Sequence, residues 1–81
     1  MTTDTDTRDA RDVRVAHALM RLGANVSVPA SLPLQDLIVL AQAAAERGTM
    51  VTLKGAAERS TADLERIAIA ARGRVTFDLA G

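Results

Sequence analysis

The chain has 81 residues, with ten basic and ten acidic side chains, one His, a formal net charge of zero, a single Phe, and no Cys, Trp or Tyr. That leaves room for one domain and excludes a disulfide scaffold, a thiolate metal site and a Cys nucleophile. Balanced charge argues against an electrostatic nucleic-acid binder, and one aromatic residue leaves no stacking platform for single strands.

Residues 1–8 are rich in Thr and Asp, with no apolar side chain beyond Met1, which predicts a disordered tail. This N-terminus is the opposite of a signal peptide, and no apolar run approaches the roughly 20 residues of a membrane span. The expected location is therefore cytoplasmic. A single αβ domain is expected over 9–81.

A helix is predicted over 9–22, with Asp9 as its cap and Gly23 beyond its end. Winding at 100° per residue places Val13, Val15, Ala16, Leu19, Met20 and Leu22 on one arc. Arg11, Arg14, His17 and Arg21 take the opposite arc. A strand over 24–28 alternates Val26 and Val28 with Asn25 and Ser27. Pro29 and Pro33 mark a loop and the entry to a helix over 33–47. The apolar face of that helix, Leu34, Leu37, Ile38, Ala41, Ala44 and Ala45, is wide, and Val39 lies within its narrow polar face. Such a helix requires contact on more than one side. A strand over 50–54 points Val51 and Leu53 one way and Met50, Thr52 and Lys54 the other. Ser60 and Asp63 approximate a capping box for a helix over 61–72, closed by Gly73. Leu64, Ile67, Ala68 and Ala71 form its stripe, with Ile69 off it. The final strand, 74–79, turns Val75, Phe77 and Leu79 inward.

These segments align with one another. Each has Asp-apolar near a helix start, Gly at the helix end, and Val-(Ser/Thr)-apolar in the strand. The strand centres Val26, Val51 and Val75 are 25 and 24 residues apart. Helical connections of this length make the strands parallel, and right-handed crossovers in one direction put all helices on one sheet face. The predicted fold is therefore α/β: three αβ units forming a small, mostly parallel three-stranded sheet, solenoid-like and completed by self-association. Equal register would set Thr52 beside Thr76 and Lys54 beside Asp78, the latter as an exposed salt bridge of at most about 1 kcal/mol. Over residues 24–79 this order of strand, loop, capped helix and Gly resembles the architecture of helical leucine-rich repeats, without their leading Leu-x-x-Leu and Asn ladder.

Chemistry-bearing motifs are sparse. His17 lies between Arg14 and Arg21 with no nucleophile or carboxylate frame around it. Asp36 and Asp63 sit in first helical turns, where the macrodipole favours a negative charge. The stretch Lys54–Gly55 before a Ser-initiated helix could offer an anion site, but Lys54 is on the wrong side of the loop for a phosphate-binding loop. No motif calls for a cofactor or metal, and no catalytic residue is assigned.

Surplus apolar surface is more informative. Ala accounts for 16 residues, so the core is built of small side chains, and domains this small usually need a staple or a partner. Val39 and Ile69 lie off the core stripes, and Met50 points to the polar sheet face. Two unprotected sheet edges add to them. The expected function is a non-enzymatic interaction or self-assembly module whose partners are copies of itself and another protein. The alternative is a small regulatory protein touching nucleic acid or an acidic partner through Arg11, Arg14 and Arg21. A third reading is an enzyme subunit completed by another chain.

Overall fold

Each strand is a four-residue segment in which apolar and polar side chains alternate, and this alternation decides which sheet face is covered. The computed structural model describes residues 4–80, with side chains from residue 11 onward. In chain order the elements are α1 (Asp4–Arg21), β1 (Val26–Pro29), α2 (Leu34–Arg47), β2 (Val51–Lys54), a 3-10 turn at Ala56–Glu58, α3 (Thr61–Ala71) and β3 (Val75–Asp78). The strands form an open, all-parallel sheet in the order β1-β2-β3, with the helices on one face.

The repeat spacing appears directly as strand register. Val26, Val51 and Val75 are cross-strand partners, as are Val28, Leu53 and Phe77. These two rows face the helices. The open face carries Ser27, Thr52 and Thr76 in one row and Pro29, Lys54 and Asp78 in the next. Lys54 and Asp78 are neighbours as the sequence predicts, but the salt bridge is not made. Asp78 Oδ1 instead accepts the Ala80 N–H at 3.1 Å, a local bond that costs less chain entropy than ordering an exposed lysine.

Helix boundaries differ from expectation mainly at the start. α1 begins at Asp4, so Asp9 lies within it, and of the expected tail only residues 1–3 fall outside the described residues. Once a helix has nucleated, each further residue adds one backbone hydrogen bond at little cost, so the helix propagates back into the Thr/Asp segment. Pro29, expected in the loop, is the last residue of β1. Pro33 is the N-cap of α2, and Gly48 ends that helix in the left-handed region at φ 71°, donating its N–H to Ala44 O. Ser60 Oγ accepts the Asp63 N–H at 3.2 Å, completing the capping-box half that the sequence marks. α3 ends differently from expectation. Arg72 itself takes the left-handed C-cap position at φ 53°, ahead of Gly73.

The core lies between the sheet and the helix layer. Met20, Leu32, Leu37, Leu40, Leu53, Ile67 and Val51 are its largest fully buried side chains. α2 packs on both α1 and α3, which explains why Leu40 and Ala43 are buried along with Leu37, Ala41 and Ala44 of its predicted face, while Leu34, Ile38 and Ala45 are half-buried. Two loop residues, Ala30 and Leu32, are buried as well. None of the described helices is long and apolar enough to cross a membrane.

Candidate functional site

Three surfaces could act on other molecules. The first is a cleft of about 520 Å³ at the carboxyl ends of β1 and β2, where open α/β sheets commonly bind ligands. It is lined by Pro29, Lys54, Glu58, Arg59, Ser60 and Asp63, among others. Arg59 dominates its geometry. One guanidinium nitrogen donates to Ala30 O at 2.7 Å and Leu32 O at 2.9 Å, and Nε donates to Asp63 Oδ2 at 3.2 Å. The side chain is only 18% exposed. Arg59 thus ties the β1–α2 loop to the start of α3, and its charge is consumed in doing so. Asp63 and Glu58 bring negative charge to the same cleft, and Ser60 already occupies the Asp63 N–H. An anion at the site considered for Lys54–Gly55 would therefore meet Lys54 together with two carboxylates, with the Asp63 N–H already bonded to Ser60. The described residues contain no group of three or more His, Cys, Asp or Glu placed to hold a metal ion. His17 lies elsewhere, on α1.

The second surface is a shallow groove between α1 and α2, lined by Val13, Arg14, His17, Ala18, Arg21 and Val39. It brings together three of the residues singled out from the sequence, Arg14, Arg21 and Val39. The other three fall apart from it. Ile69 stands on the solvent side of α3, 77% exposed. Met50 is half-buried. Its N–H donates to Asn25 Oδ1 at 2.8 Å and its carbonyl accepts the Val26 N–H at 3.1 Å. Arg11 lines a different groove altogether. Arg11 and Arg14 are three residues apart on α1 and remain neighbours on its surface, so the arginine strip borders both grooves.

That different groove is the third surface. Arg11, Asp12, Val15 and Leu19 of α1 overhang Val26, Ser27, Val28 and Pro29 of β1, enclosing about 310 Å³ along the free edge of the sheet. Val15 and Leu19, expected in the core, are 45% and 43% exposed, and Leu22 at the end of α1 is 84% exposed. A helix at the margin of a layer has neighbours on one side only, so an arc of six apolar residues cannot all be covered.

The opposite end of the sheet finishes on a strand. β3 is the other edge. Val75 and Phe77 are half-buried, and Leu79, read as the inward end of the strand, lies just beyond it and is 61% exposed. The helices sit to one side of their strands, so the lateral order is α1, β1, α2, β2, α3, β3, ending in an overhanging helix at one side and a bare strand at the other.

Sequence reasoning identified the edges but assigned Val15, Leu19, Leu22 and Leu79 to the core. The available signal was the width of the α1 arc, which exceeds what a single neighbouring helix and one edge strand can cover. Compared with protein-family models, with curated proteins and with solved structures, the chain matches none.

Proposed function

We propose that this protein is a non-enzymatic interaction module whose principal partner is another copy of itself. The observation that supports this reading is the pairing, at both ends of the sheet, of exposed apolar side chains with an unsatisfied strand edge. Val15 and Leu19 flank β1, and Val75, Phe77 and Leu79 accompany β3. Free strand edges are templates for pairing with another chain, and natural proteins that stay monomeric blunt them with charge, proline or a covering element. Here Pro29 ends β1 and Asp78 ends β3, while the residues before them, Val26–Val28 and Val75–Phe77, carry neither charge nor proline. Zero net charge adds no long-range repulsion between copies.

The test is light scattering across a wide concentration range. Self-association appears as a mass that rises above the monomer with concentration. A mass that stays at the monomer value at the highest concentration overturns the reading. The alternative, contact with nucleic acid or an acidic partner through Arg11, Arg14 and Arg21, has the zero net charge of the chain against it. Salt-sensitive binding lost in Arg14→Ala plus Arg21→Ala would favour it.

A further inference from the structure

We infer that copies join head to tail, with β3 of one copy adding to the edge of β1 in the next and sliding beneath that copy's α1. The inference rests on the self-association reading and specifies its geometry.

Hydrogen-bond parity carries the first part. Val26 N–H donates to Met50 O and Ala30 N–H donates to Lys54 O, so alternate residues of β1 face β2 and Ser27 faces the free edge. Val51 N–H donates to Arg74 O. Arg74 and Thr76 therefore face β2, while Val75 and Phe77 turn their backbone groups outward. Within the chain, each strand meets the next with this same parity. The free groups of β3 thus meet the free groups of β1 in the register already used twice: Val75 beside Val26 and Phe77 beside Val28 of the next copy. Ser27 supplies both a donor and an acceptor. Pro29, lacking an N–H, ends the added ladder.

Shape carries the second part. One end of the molecule has a helix with no strand beneath its outer side, and the other has a strand with no helix over its outer side. In the proposed register, Phe77 enters the groove below Val15 and Leu19. A β3-to-β3 pairing would leave that groove empty and bring two uncovered strands together. Because the joined surfaces differ, the contact is heterologous and produces a ring or an open filament instead of a closed two-fold dimer.

Two kinds of variant test this. Val15→Glu plus Leu19→Glu places charge in the groove on a helical, exposed surface. Leu79→Glu places charge on the β3 edge, and Val75→Pro, which removes an outward N–H and no bond to β2, provides a second edge variant. Circular dichroism identifies any variant that fails to fold, and the other edge variant then takes its place. Light scattering should show each variant as a monomer alone and the 1:1 mixture of groove and edge variants as a heterodimer that grows no further, because one intact contact remains. If the wild type associates but the groove variant alone still does so, or the mixture stays monomeric, the head-to-tail geometry is overturned while self-association stands. A wild type that is monomeric throughout overturns both.

Discussion

Val28 on β1 and Phe77 on β3 flank Leu53 in one row of the sheet, and they are treated differently. Val28 is 4% exposed, Leu53 is fully buried, and Phe77 is only half-buried. The strands are equally short and pair in the same way. What differs is the helix layer, which is staggered so that α1 lies over β1 while β3 has α3 on one side only. In a stack of αβ units the middle is completed by its neighbours and the ends are not. The polarity of the stagger makes the two ends unlike each other, and unlike ends can complement one another.

Truncation along this row gives the largest contrast. Leu53→Ala should cost about 3–4 kcal/mol through lost burial and a residual cavity, a large share of the roughly 4–12 kcal/mol expected for a chain of this size. Phe77→Ala should cost about 1–2 kcal/mol in the monomer, because much of the ring already faces solvent. Urea unfolding at a concentration where the chain is monomeric measures both, and equal costs would remove the distinction between centre and edge.

Arg59→Ala comes next, at about 2–3 kcal/mol, because it removes charge-assisted bonds to two loop carbonyls and the partner of Asp63. Arg59→Lys should recover less than half, since an ammonium cannot reproduce the planar fork. Thermal unfolding reads this, and a loss below 0.5 kcal/mol, on the scale of a surface substitution, would mean that the loop between β1 and α2 holds its place without the guanidinium. A smaller change has the opposite sign. Thr49 is buried, and its hydroxyl has no hydrogen-bond partner among the described residues. Thr49→Val should therefore stabilise the fold by about 1 kcal/mol in the same assay.

The smallest effects belong to the outer helix surfaces. Ile69→Lys and Val39→Lys should each change monomer stability by no more than about 0.5 kcal/mol. They should also leave association intact if the contact lies at the sheet ends. Loss of association on Val39→Lys alone, measured by sedimentation velocity, would move the interface to the groove between α1 and α2.

Much of this architecture was legible from the chain because it depends on local rules. Period-two alternation marked the strands and their faces, Ser60 and Gly48 marked helix ends, and the spacing of Val26, Val51 and Val75 anticipated their register. Candidate interaction residues were less legible. Val39, Arg14 and Arg21 converge on one groove, but Arg11, Met50 and Ile69 do not join them. Arg59 gave little sign of its role beyond its spacing from Asp63, because its other partners are 27 and 29 residues away in the chain.

The zero net charge, the abundance of alanine and the αβ repeat are properties of the sequence itself. The αβ repeat determines that the chain builds a parallel sheet with helices on one face, because hydrophobic period and capping act within a few residues of each position and the helical connections make the strands parallel. Only the tertiary structure decided which apolar residues stay uncovered. Whether Val15, Leu19 and Leu79 are buried depends on how many neighbours their elements have and on the stagger between helices and strands; the width of the α1 arc signals a surplus, but the local pattern does not say which of its residues stay uncovered.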